Sequence, residues 1–303
     1  MGDLSVYLNG AFVPEREACV SVYDHGLLYG DGVFEGIRAY DGRVFKLHEH
    51  VARLYQSAKA LALDVPLTRA EMAEVILEAC RRNDLHDAYI RPVVTRGVGD
   101  LGIDPRRCKA PTVFVLARPL LRLYGDDGYA RGLRVVTLSL RRNPPDTQSP
   151  NIKSLNYLNN ILGKLEANRQ GADEGLFLDL RGFVSEATAD NIFIVAGGRV
   201  LTPPAYNSLR GITRASVLEM AAEAGLPTAE TPLTLFDVYN ADEVFITGTA
   251  AEIAAVVEVD GRVIGDGAPG AVTQRLREAF PAFVRRTGTP IYPEALHPNP
   301  VEA

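Results

Sequence analysis

Apolar and polar positions alternate in two rhythms along this chain, and the chain switches between them several times. SVYLNGAFV (5–13) and VFEGIRAYDGRVFKL (33–47) have the two-residue period of strands, with Asp41-Gly42 as a hairpin turn. HEHVARLYQSAKALAL (48–63) then repeats apolar residues at helical spacing through Val51, Leu54, Tyr55, Ala58 and Leu61. TRAEMAEVILEAC (68–80) opens on Thr68-x-x-Glu71, the pattern of a capping box, and predicts a second helix. YIRPVVTRG and TVFVLARPL return to strands, which makes this first half an α+β unit.

Residues 119–131 (PLLRLYGDDGYAR) lack either rhythm, and their Gly and Asp content predicts a connection between two domains. The expected division is 1–120, a linker at 121–131, and 132–303. The second half begins with a strand, LRVVTLSL, and the Pro-rich loop RRNPPDTQSPNIKS. A helix is predicted from Tyr157 to Gln170, with Tyr157, Leu158, Ile161, Leu162 and Leu165 facing inward. Three or more strands fill 174–203, with turns at Arg181-Gly182 and Gly197-Gly198. A helix over GITRASVLEMAAEAGL closes at Gly225. Strands at DEVFITG and AAVVEVDGRVI follow, then a helix over about 270–280 and a surface tail from about Thr287.

Composition narrows the class. The 303 residues suffice for two cores, and 47% hydrophobic with 23% charged residues is the balance of a globular enzyme or binding protein. A net charge of −6 without like-charge runs argues against nucleic acid. Cys19, Cys80 and Cys108 have no metal-ligand spacing, and their odd number argues against a disulfide framework. No basic-then-apolar leader opens the chain and no 18-residue apolar run occurs, so a reducing, cytoplasmic setting is expected.

Candidate chemistry begins with an imbalance. Of 32 Lys and Arg residues only five are lysines, yet one of them, Lys153, sits between the Pro-rich loop and the helix after it. Alone it reads as a solvated loop lysine or as a Schiff-base lysine, which requires a carbonyl cofactor. LRGITR places Gly211 and Thr213 at a helix start, an ordinary N-cap or a phosphate site. ITGTAAEI offers Thr247, Gly248 and Thr249 in a turn, a plain strand end or a second anion-binding turn. Glu186 stands among apolar strand residues, facing outward or paired with a cationic ring nitrogen. Arg53 on the first helix is solvated or clamps a phosphate. His48 and His50 have no further ligand cluster near them in sequence, and no metal site is expected.

Seven segments, in this order, carry a family resemblance: YGDGVFEGIRAY (29–40), HEHVARL (48–54), YIRPVV (89–94), IKSLNYLNN (152–160), GFVSEATADNIF (182–193), LRGITR (209–214) and ITGTAAEI (246–253). Together they resemble the class IV aminotransferases, and more narrowly the branched-chain amino acid aminotransferases, over about residues 4–285. The resemblance implies the two-domain α+β fold of fold type IV pyridoxal 5′-phosphate enzymes, with a smaller N-terminal domain and a larger, β-rich C-terminal one. It implies transamination of leucine, isoleucine and valine with 2-oxoglutarate through a Lys153 aldimine and a 1,3-proton shift.

By the same resemblance Lys153 is catalytic, Glu186 meets the pyridine nitrogen, and Arg53, Ile212, Thr213 and Thr249 hold the phosphate. Tyr157 lies beside the cofactor's phenolic oxygen, and Tyr29, Phe34, Arg38, Tyr89, Arg91, Thr249 and Ala250 line the substrate pocket. Similar proteins are homodimers or larger, and GVGDLGIDP (97–105) is the candidate loop that covers a neighbour's site. D-amino acid and (R)-amine aminotransferases share the motifs. Aminodeoxychorismate lyase shares the scaffold, but YIRP speaks against it. Intact Lys153 and Glu186 speak against a non-catalytic cofactor-binding protein.

Overall fold

Strand-forming runs in the first half become β1 (Ser5–Leu8), β2 (Ala11–Pro14), β3 (Gly32–Phe34), β4 (Ile37–Tyr40), β5 (Arg43–Phe45), β6 (Ala88–Thr95) and β7 (Thr112–Pro119). This computed structural model describes residues 4–119 and 123–292. Asp41 and Gly42 both adopt positive φ, 49° and 75°, and turn β4 into β5 with Tyr40 opposite Arg43. That is the twist a two-residue hairpin requires. Helix α1 (His25–Tyr29) is short, while α2 (Leu47–Ala60) and α3 (Arg69–Arg82) cover one face of the sheet. Val51, Leu54 and Ala58 are buried there with Met72, Ile76 and Ile90. The capping box forms: Thr68 Oγ1 accepts from the Glu71 N–H and Glu71 Oε2 from the Thr68 N–H.

The second sheet is built from β8 (Leu133–Arg141), β9 (Glu174–Leu178), β10 (Val184–Ala187), β11 (Asn191–Ala196), β12 (Arg199–Thr202), β13 (Thr228–Glu230), β14 (Glu243–Gly248), β15 (Glu252–Val259) and β16 (Arg262–Val263). Its order is β10-β9-β8-β15-β14-β11-β12-β13, with β16 beside β15. Alternation divides each central strand between two cores. Ile192, Ile194, Val244 and Ile246 enter one, Phe193, Val195 and Phe245 the other. A sheet covered on both faces is apolar throughout, which explains the long hydrophobic runs of this half. Helices α4 (Gly125–Arg131), α5 (Pro145–Gln148), α6 (Leu158–Arg169), α7 (Ile212–Glu223), α8 (Leu235–Tyr239) and α9 (Ala271–Thr287) complete it. Among the described residues no helix is long and apolar enough to cross a membrane.

Four expectations need correction. The helix after Lys153 buries Asn160, Gly163 and Ala167, while Leu158, Ile161, Leu162 and Leu165 are 42–65% exposed. A Cβ on Gly163 would stand 2.5 Å from Phe177 and 2.8 Å from Leu138, so only a face of small residues can lie this close to the sheet. The expected linker holds α4 instead of irregular chain (its residues 121 and 122 lie outside the described ones). The helix expected to stop near 280 continues through Pro281 to Thr287. Finally, the tail is not a surface appendage at its start. Strand β17 (Gly288–Pro290) pairs with β5, and Ile291 is fully buried in the first core. The first sheet therefore runs β17-β5-β4-β6-β7-β1-β2, with β3 beside β6. The tail's residues 293–303 lie outside the described ones.

Candidate active site

Lys153 is fixed by the half of the chain it does not belong to. Its backbone N–H donates to Ser57 Oγ of α2 at 3.1 Å, and its carbonyl accepts from the Phe34 N–H at the end of β3 at 3.0 Å. The side chain enters a cavity of about 370 Å³ between the two sheets. Its ammonium lies 4.7 Å above the Phe34 ring and 3.2 Å from the Tyr157 hydroxyl.

Glu186 lines the same cavity from β10 and is 5% exposed. Its Oε1 accepts from Arg142 Nε at 2.7 Å, and its Oε2 from the Leu209 N–H at 3.0 Å. A buried carboxylate is tolerable here because Arg142 neutralises it. Arg142, at the end of β8, is a partner the sequence pattern did not reveal.

The N-terminal end of α7 also faces the cavity. Its N-cap is Gly211, which supplies no side-chain acceptor, so the first-turn N–H groups of Ile212 and Thr213 remain available. Gly211 has no room for a side chain, since a Cβ would fall 1.9 Å from Asn191 Oδ1. Arg53 reaches the same end from α2. Its Nε and one terminal nitrogen pair with the two oxygens of Glu35 at 2.7 and 2.8 Å, and the other terminal nitrogen donates to the Arg210 carbonyl at 2.8 Å. Of the five guanidinium N–H groups, three are thereby used and two remain.

Glu35 is fully buried and also accepts from His50 Nδ1 at 2.8 Å. Burial alone would raise its pKa, but the charge and hydrogen bonds of Arg53, with His50, bring it down to about 2. Burial first, with the charges of Arg53 and Lys153, lowers the pKa of His50 against the opposing pull of Glu35, so at neutral pH the imidazole is a neutral donor. Among the described residues no three His, Cys, Asp or Glu side chains are grouped to hold an ion.

Opposite Lys153, Arg91 lies 4.7 Å over the Phe34 ring and donates to the Tyr89 hydroxyl at 2.5 Å. Among the described residues its Nε has no partner although it is buried, and the same is true of Thr247 Oγ1 on the cavity wall. Thr249 and Ala250 close the cavity at the turn after β14.

Two expected pocket residues point elsewhere. Arg38 is buried behind the turn, paired with Glu252 at 2.9 Å and donating to the Ala250 carbonyl at 3.3 Å. It holds the carbonyls of the Thr249–Ala250 turn from behind and does not line the cavity. Tyr29 is 38% exposed on α1 and donates to the Leu101 carbonyl in the 97–105 loop. Arg53, Lys153, Tyr157, Glu186, Ile212, Thr213, Phe34, Tyr89, Arg91, Thr249 and Ala250 do meet around one cavity. The residues present suit a phosphorylated aromatic aldehyde: an uncapped helix start with two spare guanidinium N–H groups, an amine, a paired carboxylate and an orphaned hydroxyl.

A family model described as class IV amino-transferase matches residues 32–259. The chain is 57% identical over 292 residues to a Methanocaldococcus jannaschii protein named provisionally as a branched-chain-amino-acid aminotransferase, covering 96% of this chain and 100% of that one. It is 38% identical over 281 residues to the branched-chain-amino-acid aminotransferase of Escherichia coli K12, covering 91% of each. Among solved structures, a branched-chain amino acid aminotransferase from T.th. with pyridoxamine 5′-phosphate superposes with a TM-score of 0.92. It is 39% identical, with 96% of this chain and 100% of that one covered.

Proposed function

Because this chain belongs to the class IV aminotransferases, we propose that it is a pyridoxal 5′-phosphate enzyme exchanging amino groups between branched-chain L-amino acids and 2-oxoglutarate. The observation that carries this is the convergence of Lys153, Glu186 and the Tyr89–Arg91 pair on one cavity whose opposite end is built for an anion. When bound, pyridoxal phosphate supplies an electron sink for charge developing at the substrate's α-carbon.

The protein's own groups do the rest. Arg53, with the first-turn N–H groups of Ile212 and Thr213, would hold the phosphate, and Thr249 would add a donor. Lys153 would bind the aldehyde carbon and, once released, take the α-proton and return it one carbon away as general base and acid. Tyr157, 3.2 Å from its Nζ, is placed to orient that amine. Glu186, held by Arg142, would face the ring nitrogen and favour its protonated form. Arg91 beside Tyr89 and Phe34 offers a charge at the edge of an apolar wall, where glutamate's second carboxylate or an aliphatic side chain can each be received.

We also infer a homodimer or larger homo-oligomer. The exposed stripe of Leu158, Ile161, Leu162 and Leu165, and the exposed Tyr29, Leu101 and Ile103, are apolar surfaces that a second copy would cover. Tyr29 and the 97–105 loop would then act on a neighbour's cavity. The boundary between the halves falls in the segment of 121–131.

The test is a half-reaction. Purified holoenzyme receives L-leucine, D-alanine or (R)-1-phenylethylamine without an oxo acid, and loss of the cofactor's long-wavelength band is followed. Conversion fastest with L-leucine supports this function. Faster conversion with D-alanine or with the amine reassigns the substrate class, and no conversion with any of the three overturns it.

A further inference from the structure

On the cavity wall next to Glu186 stands a second buried carboxyl, Asp190, for which the chemistry above has no use. Its Oδ2 lies 3.2 Å from the Tyr124 hydroxyl, and the same hydroxyl lies 3.3 Å from Glu174 Oε2. A phenol has one proton. It cannot give a full hydrogen bond to both oxygens, whereas a proton on one carboxyl lets that group donate to the phenol while the phenol donates to the other. The arrangement is fully satisfied when one carboxyl of the pair carries a proton of its own.

The surroundings decide which. Glu174 accepts from Lys164 Nζ at 3.0 Å, the Gly175 N–H at 2.8 Å, the Thr188 N–H at 3.3 Å and the Thr188 hydroxyl. Four donors, one of them an ammonium, stabilise an anion. Among the described residues Asp190 has Tyr124 alone as a side-chain partner, and its other oxygen is pressed against Gly248, where a Cβ would come within 1.9 Å. The charges that shift it most are Glu174 on β9, Glu186 on β10 and Lys164 on α6. Two of the three are negative.

We propose that Asp190 is a positioning residue that works as a neutral carboxylic acid. It donates to Tyr124, which donates to Glu174, and the chain of two hydrogen bonds ties the segment between the sheets to the β10–β11 turn and to the start of β9. Leu123, adjacent to Tyr124, is thereby set on the cavity wall that Thr249 and Ala250 also line. A neutral group also suits the wall of a cavity that is read to receive anionic groups of substrate and cofactor. The inference rests on the amino-acid reading of the cavity for its kinetic consequence, not for its proton.

Burial first, and the charge of Glu174 second, push the Asp190 pKa up to about 7. Loss of the proton above that pH breaks the donation to Tyr124 and adds a negative charge to the wall. The expected kinetic result is a KM for L-leucine that rises severalfold as pH passes 7, with a smaller change in kcat. Asp190→Asn, whose amide N–H donates at every pH, flattens that KM profile. A KM profile of Asp190→Asn that still follows the wild type would overturn the proposal.

A readout independent of turnover is the infrared carbonyl stretch of a protonated carboxyl at pH 6. It is expected in the wild-type protein, absent from Asp190→Asn and shifted in Tyr124→Phe, where the acid loses its acceptor. A band unchanged in both variants, or no band in the wild type, sinks the assignment even if a variant folds poorly. If the infrared band behaves as expected while none of the three amines reacts, the functional reading fails and the protonated acid stands.

Discussion

At the residue scale the amine of Lys153 carries most of the chemistry, and arginine cannot stand in for it because a guanidinium is never deprotonated at working pH. Lys153→Ala is expected to lose the cofactor's long-wavelength band and to lower the single-turnover rate with L-leucine by about 10⁴-fold or more. Lys153→Arg is expected to do the same; a variant of either kind that keeps the band would refute the assignment.

Glu35 makes a different prediction, about pH and stability. Its folded pKa of about 2 lies below its ordinary 4.5, so its contribution is complete above pH 4.5 and is lost as pH falls toward 2. That difference corresponds to about 3 kcal/mol. His50, also lowered from its ordinary 6.5, acts in the same direction. Urea-unfolding midpoints should therefore fall from about pH 6.5 downward and most steeply below 4.5. Glu35→Gln, which strands the Arg53 charge, is expected to cost about 3–5 kcal/mol at pH 7. A midpoint at pH 7 equal to wild type would show that Glu35 does not hold Arg53. Sequence marked Arg53 as a candidate, but it gave no sign of Glu35, since 18 residues separate partners that only the β3–α2 packing brings together.

Secondary-structure elements reveal where periodicity misleads. Helix α6 was legible as a helix, and its apolar stripe was legible too, yet the stripe faces away from the sheet. Periodicity reports that a face will be covered, not by what. Here the need for close approach to Phe177 and Leu138 selects the face carrying Gly163 and Ala167. Gly163→Leu is expected to destabilise the protein by about 1–3 kcal/mol through overpacking, read as a lowered urea midpoint. An unchanged midpoint would mean that α6 is free to lift from β9.

For the whole molecule, the decisive feature is that the chain returns to where it began. Strand β17 extends the first sheet after α9 has packed on the second, and Phe45 of the first sheet is buried in the same cluster as Phe280 and Phe283. Ending the chain at Thr287 removes the β17–β5 pairing and the burial of Ile291. The expected loss is about 2–5 kcal/mol, with Lys153 chemistry weakened because its backbone is held by β3 and α2. Equal stability of full-length and shortened chains would sink this. Sedimentation of the full chain near twice its 32.9 kDa mass, or a multiple of it, is expected from the uncovered apolar stripe on α6, and a monomer would refute the proposed assembly.

What sequence alone determined was local or carried by motif order. The hairpin at Asp41-Gly42, the capping box at Thr68 and the strand runs follow from backbone sterics and short-range hydrogen bonding, which a window of a few residues contains. The site residues were named from seven segments in order, and most of them do line one cavity. Tertiary structure decided the rest: which face of α6 is inner, that Arg38 braces a turn, that Tyr29 lies outside, and that Glu35, Arg142 and Asp190 are buried partners. Such facts depend on distances between segments far apart in the chain. Burial then converts those distances into charge states, so a carboxyl's role is set by its neighbours in space and not by its place in the sequence.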